Sequence, residues 1–325
     1  MGFKKNILPF LIWGGLLILL ALFDIFRGLG ISSAGSAENL IILQMVRVPR
    51  ILTAIIAGGG LAVAGAQMQS ILRNPLADPH IMGISSGASL GAAIATLAGG
   101  SAVLSGGILQ GASVAVSATL GAAAASVIIM AASVKFRRAS TLLVFGVMLS
   151  FIINAVVTVL QSGSNAENLK IFHSWSAGSF GTTSLKEIII MSSTLLIAFI
   201  IAFTNSTGLD IILFGDEFAK LTGARPERIR ISALLSCCLI TGTVTAFCGP
   251  IGFVGIVAPH IARTILKTSA HKMIIPGSLM CGSIIGIIAD LISQMTPAPI
   301  PVSSTMALAG IPIIIYILIK RPEYR

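Results

Sequence analysis

The residues of this chain that could do chemistry are few and scattered. Its 325 residues include four histidines (His80, His173, His260, His271), four cysteines (Cys237, Cys238, Cys248, Cys281) and eleven carboxylates. The cysteines lie in apolar stretches without the spacing of a zinc site or a disulfide framework, which reads as packing. No phosphate-cradling loop ending in Gly-Lys-Ser/Thr and no His-Glu-x-x-His helix is present. The sequence therefore nominates no catalytic residue, no cofactor-binding residue and no metal ligand. If the chain moves something uphill, the energy comes from elsewhere. Two ionisable groups stand apart. His173, in a loop, is the one histidine placed to meet a substrate, with a solvated or structural role as the alternative. Asp290 lies inside an apolar run, where charge is costly; it either caps a helix or lines a path.

The elements that must position these groups are set by composition. With 55% hydrophobic and 10% charged residues and a mean hydropathy of +0.98, the chain cannot cover a water-soluble surface. Its apolar runs are continuous, so they fit helices rather than the alternating strands of a membrane barrel. The fold class is an all-α integral membrane protein, a single transmembrane domain over 1–325. Hydropathy predicts spans near 7–26, 51–72, 81–99, 108–134, 141–161, 187–204, 230–248, 252–266, 274–293 and 303–319. About ten spans put both termini on one side. With that side cytoplasmic, only Arg27, Arg47, Arg50, Lys170 and Lys186 of the 21 Lys and Arg fall outside. The net charge of +10 thus reflects topology in a cell membrane, and no nucleic-acid partner is implied. Lys4 and Lys5 precede an apolar run without a small-residue exit, which reads as a retained first helix.

Local patterns give each connection a physical reading. Gly83, Gly87 and Gly91 form an i, i+4, i+8 row, and Gly282 and Gly286 a pair; both let helices approach closely in lipid, with a role in conduction as the alternative. Asn74, Pro75 and Asp78 mark a helix break, because proline removes a donor and disfavours helix before it; Asn74 and Asp78 are candidate caps of the next helix. Arg47 and Arg50, three apart at an outer helix entrance, can both reach water, headgroups or acids of another protein. Ser140 and Thr141 open the fifth span, as a cap or as something more. Residues 162–186 hold Trp175 and Phe180 around Gly178, a half-buried turn or an interfacial anchor. The cytoplasmic segment 205–229 carries acids, bases and glycines around a short amphipathic stretch, suited to docking.

Several of these stretches resemble a known family. Residues 47–92 (RVPRILTAIIAGGGLAVAGAQMQSILRNPLADPHIMGISSGASLGA), WSAGSF at 175–180, GDEFAKLTGA at 215–224, CGPIGFVGIVAPHIAR at 248–263, AD at 289–290, PV at 301–302 and LAGIP at 308–312 succeed one another as in the FecCD family. These are permeases of type II ABC importers for iron-siderophores, haem and cobalamin. The resemblance implies ten helices per subunit, matching the hydropathy count. It implies that Arg47 and Arg50 dock a substrate-binding protein. It makes Gly215, Asp216, Glu217, Ala219, Leu221 and Gly223 the coupling loop for an ATPase subunit, which would hold ATP and magnesium, and Ser140 and Thr141 a cytoplasmic gate. A second permease subunit, identical or different, would complete the path. Two departures stand out: Gln294 where relatives often have arginine, and PVSS where many read Pro-Val-Gly. The rival is an ion-coupled secondary transporter, which would need ionisable relays at mid-membrane and paired broken helices.

Overall fold

The computed structural model describes residues 3–26, 41–98, 107–136, 138–295 and 300–320. Of the basic residues assigned by topology, Arg27, Arg137, Arg321 and Arg325 lie outside these, as do the side chains of Lys4, Lys5 and Lys320. Among the described residues all regular structure is helical: α1 (Phe3–Phe26), α2 (Val48–Ile71), α3 (Ile84–Ala93), α4 (Gly107–Lys135), α5 (Ala139–Ser162), α6 (Ala166–Ser176), α7 (Leu185–Thr204), α8 (Ser206–Ile212), α9 (Asp216–Leu221), α10 (Pro226–Cys248), α11 (Val254–Leu266), α12 (His271–Ser293) and α13 (Val302–Lys320). Seven segments are long and apolar enough to cross a membrane, and the shorter apolar α3, α11 and α13 join them. That gives ten membrane helices among the described residues, as hydropathy expects. The remaining three, α6, α8 and α9, are connections.

The bundle is organised around α2. In the apolar window of α2, 83% of residues are buried inside the chain, against 11% for α1 and 22% for α5 and α7. Small residues make this possible. A run of three glycines would weaken a helix in water, but in lipid the backbone must bond to itself, and the missing side chains admit neighbours. A Cβ on Gly58 would meet the backbone of Gly282 and Gly286 on α12, and one on Gly65 would enter the backbone of Gly255 on α11. The row on α3 works in the same way against α4: Gly87 faces Gly121 and Ala125, and Gly91 faces Ser117. Gly87, Gly91 and the Gly282–Gly286 pair therefore pack helices, whereas Gly83 falls outside α3 as its left-handed N-cap (φ +84°) and faces Gly146 and Ser150 of α5. The weakly buried α1, α5 and α7 turn apolar side chains such as Leu19, Phe151 and Ile189 outward, towards lipid or another subunit.

The breaks fall where proline and glycine require them. Arg73 takes a left-handed conformation (φ 48°) after α2, and Asn74 N–H donates to the Gln69 carbonyl at 3.1 Å while Arg73 N–H donates to Ser70. This is a Schellman ending built on a non-glycine residue. Asn74 then closes a local turn, accepting from Leu76 N–H at 3.0 Å, and Asp78 caps the 3₁₀ turn Pro79–Met82 through His80 N–H at 2.8 Å. Ser140 is not the cap of α5; that position is Arg138, and Ser140 lies exposed one residue inside the helix.

Candidate functional site

Two ends of the bundle gather the polar residues, and they are built differently. At the first end, Arg50 enters from the start of α2 and Asp290 from the last turn of α12. Arg50 Nε donates to both Asp290 carboxylate oxygens at 2.8 and 2.9 Å, and Gln294 Nε2 donates to Oδ2 at 2.7 Å. Asp290 is wholly buried. The burial explains the arrangement, since a carboxylate removed from water requires a cation and further donors. Gln294, a departure in sequence, thus serves the carboxylate. Arg47 is also engaged, donating through Nη1 to the Asp24 carbonyl at 3.0 Å. Neither arginine of the pair nominated for docking projects freely; Arg50 is held in an intrachain ion pair with a partner 240 positions along the chain.

The same end holds the turn after α6. Gly178 adopts φ +76°, Ser179 N–H donates to the Cys248 carbonyl at 2.9 Å, and Val302 N–H donates to the Gly178 carbonyl at 3.2 Å. Phe180 is buried, Trp175 half-buried and His173 exposed. Residues 162–186 therefore hold the helix α6 followed by a packed turn around Gly178 that ties it to α10 and α13.

At the opposite end α8 and α9 lie beside a groove of about 1160 Å³ lined by Arg73, Arg138, Ser140, Phe214–Glu217, Lys220 and Ala224–Arg228 with Arg230. The basic residues of three connections meet here. Gly215 (φ +112°) makes the turn between α8 and α9, a conformation side chains disfavour. Asp216, in the first turn of α9, is held by Arg73 and by the buried Arg230 at 3.0 Å, and Arg73 Nε also donates to the Ile212 carbonyl at 3.0 Å. Glu217 is exposed and pairs weakly with Lys220 at 3.5 Å. Gly223 (φ +79°) ends the segment. Beside these charges stand apolar side chains in solvent: Phe214 is 74% exposed, Leu221 87% and Phe218 45%, with the Phe214 and Phe218 rings 5.3 Å apart. Ala219 points the other way and is fully buried. Its small size answers a close approach inside the chain, not to a partner.

The structure also assembles groups that sequence reasoning missed. Asp210 of α8 accepts from both the backbone N–H (2.9 Å) and the Nδ1–H (2.6 Å) of His271, the first residue of α12, and the His271 Nε2 bonds the Ser70 hydroxyl. The Ser-His-Asp order is that of a hydrolase triad. Here Ser70 and His271 are buried among helix ends, so no substrate carbonyl can reach the hydroxyl. Ser85, within a Gly83-x-Ser85-x-Gly87 string of nucleophile-elbow spacing, bonds His80 Nδ1 and Thr245, but no strand precedes it and it too is buried. No local signal marks the Ser70–His271, His271–Asp210 and Ser85–Thr245 contacts in sequence, because those partners come from distant helices. Among the described residues no three His, Cys, Asp or Glu side chains come together as a metal site.

Comparison with known proteins agrees with this architecture. The model of the FecCD transport family matches residues 7–320. The Fe(3+)-citrate import system permease protein YfmE of Bacillus subtilis is 34% identical over 97% of this chain and 96% of that protein. The hemin transport system permease protein HmuU of Yersinia pestis is 32% identical over 98% of both. A solved metal-chelate type ABC transporter, in an inward-facing conformation, superposes with a TM-score of 0.85 at 27% identity, covering 95% of this chain and 98% of that one.

Proposed function

The chain belongs to the FecCD transport family, and from that premise we propose that it is the translocation subunit of an importer that takes a metal chelate from a binding protein and is driven by a separate ATPase. It is a multi-pass membrane permease with the type II ABC importer fold. The observation that carries the finer reading is the α8–α9 edge. Phe214, Phe218 and Leu221 stand in solvent on a segment where Asp216 is paired within the chain. An exposed apolar edge rimmed by charge fits a docking surface, and an ATPase groove is the occupant this family supplies. Both termini and this edge then face the cytoplasm, in keeping with the basic residues that line it.

The opposite end would receive the binding protein, with Arg47 and Arg50 at the contact that the family resemblance assigns to them. Ser140 and Thr141, exposed at the cytoplasmic mouth of α5, would face the path where two permease subunits meet. The cargo is a chelate of the iron-siderophore, haem or cobalamin kind, a class supported by the relatives named for iron citrate and hemin. ATP and magnesium would be held by the ATPase alone. The secondary-transporter reading finds no support at Asp290, which is neutralised by Arg50 at one end of α12 instead of standing in a mid-membrane relay.

Purification with a co-expressed ATPase subunit tests the reading. The complex is expected to hydrolyse ATP faster when loaded binding protein is added. A chain that transports with no such ATPase, or whose ATPase ignores it, would overturn the proposal.

A further inference from the structure

We infer that His271 is a positioning residue for coupling: clasped between Asp210 and Ser70, it locks the short helix α8 to α2 and α12, so that these three move as one body when the ATPase pulls on α9. The inference rests on the reading of α8–α9 as the coupling segment and adds the route by which its motion enters the membrane.

The geometry is specific. Asp210 spends one carboxylate oxygen on two donors of the same residue, the backbone N–H and the ring Nδ1–H of His271 at 2.9 and 2.6 Å, which caps α12 and orients its first side chain together. The other ring nitrogen bonds Ser70, in the last turn of α2, whose hydroxyl also lies 2.9 Å from the Ala66 carbonyl. The helix α8 is further nailed down by Asn205, whose Nδ2 donates to the Ile229 carbonyl of α10 at 2.9 Å, and by Arg73, which holds the Ile212 carbonyl. Leu209 and Ile212 are fully buried beneath it. A helix of seven residues fixed at this many points cannot shift alone.

The spans it grips differ from α5 in how they join the rest. The α2–α12 contact is made of backbone against backbone at Gly58, Gly282 and Gly286, so the two move as a pair. Beyond Ser70 and Arg73 the chain runs through the break at Asn74 and Pro75, whose carbonyl receives His260 Nε2 at 3.0 Å, into the 3₁₀ turn Pro79–Met82. That turn leans on α5: Gly146 leaves room for Met82, and the Ser150 hydroxyl donates to the Ile81 carbonyl at 3.3 Å. Displacement of α8 would therefore carry α2 and α12 with it and reach α5 only across a hinge. This is a physical connection between two discrete bodies, which is what a coupling route requires.

Distances in the full complex test this without disturbing the joint. The four native cysteines are buried, so spin labels report on thiols introduced at exposed positions: Thr207→Cys on α8, Ile288→Cys on α12 and Val144→Cys on α5. Between nucleotide-free and ATP-bound states the Thr207–Ile288 distance is expected to stay within about 2 Å, the scale of a minor helix adjustment, while Thr207–Val144 changes by more. Equal changes in both pairs would overturn the inference. As a second readout, Asp210→Asn keeps an acceptor for His271 and is expected to transport per ATP as the wild type does, whereas Asp210→Ala is expected to lose about tenfold in that ratio with ATPase association retained. A normal ratio in Asp210→Ala would also overturn it. Failure of the wild-type chain to bind or stimulate an ATPase would instead sink the functional reading on which the inference rests.

Discussion

The two charged clusters at opposite ends of this bundle use the same chemistry for opposite purposes. Arg50, Asp290 and Gln294 form a closed set: the carboxylate is buried and both its oxygens are satisfied. Arg73, Asp216 and Arg230 form an open one: Asp216 remains 28% exposed, Arg73 38%, and the flanking Phe214 and Leu221 are in solvent. A closed cluster fixes two spans, α2 and α12, at one end of the bundle. An open cluster next to solvated apolar side chains fixes a loop only well enough to present it. The charge of a residue does not reveal its task; the burial of its partner does.

Removing one partner is the sharpest way to break the comparison. Arg50→Glu would set two carboxylates against each other beside the buried Asp290 and is expected to cost about 3–5 kcal/mol, the range for a disrupted buried pair, seen as loss of monodisperse protein in detergent. Normal yield and melting temperature would show the closed cluster to be open after all. Next in size is Gly91→Leu on α3, where a side chain would drive into the backbone of Ser117 on α4. Overpacking of this kind costs about 1–3 kcal/mol or more, expected as a lowered melting temperature and less assembled protein. At the open cluster Asp216→Asn is expected to cost less than Arg50→Glu, because Asn keeps an acceptor for the buried Arg230 and the Asp216 side chain is 28% exposed, yet to lower ATPase stimulation. A large stability loss there would erase the distinction between the ends. The smallest structural effect belongs to Leu221→Ser, within about 0.5 kcal/mol in melting, since the side chain touches mostly solvent.

These outcomes bear on what could be read from the sequence. The ten spans were legible because lipid demands unbroken apolar runs of a set length, and the structure begins and ends most of them within a few residues of the hydropathy limits. The glycine rows were legible in part: Gly87, Gly91, Gly282 and Gly286 permit close approach, but Gly83, spaced like them, takes a left-handed cap that spacing does not announce. Of the residues nominated for coupling and for the gate, Gly215, Asp216, Glu217 and Ser140 line one concave surface, while Thr141, Ala219, Leu221 and Gly223 do not. What escaped was pairing. Arg50 looks free in sequence and is bonded to Asp290; His271, singled out by no motif, is buried between Asp210 and Ser70. Each partner arrives from a helix far along the chain, so no local spacing announces it. The facing of α9 escaped for another reason. Six residues are too few to fix a helical phase, and Ala219 proves to be buried while Phe218 and Leu221 are the outward side chains. An arginine at Ala219 would therefore dismantle the loop instead of probing its partner.

The most direct test of the account uses Leu221→Arg in proteoliposomes that also hold the ATPase subunits and a loaded binding protein. The account predicts that the variant folds as the wild type does and still docks the binding protein, because Leu221 is 87% exposed and lies at the other end of the bundle from Arg47 and Arg50. It also predicts that ATP-driven chelate uptake falls by at least about tenfold, the factor that corresponds to ~1.4 kcal/mol of lost association. Uptake at the wild-type rate, with the ATPase bound and stimulated as before, would contradict the assignment of α8–α9 as the coupling surface.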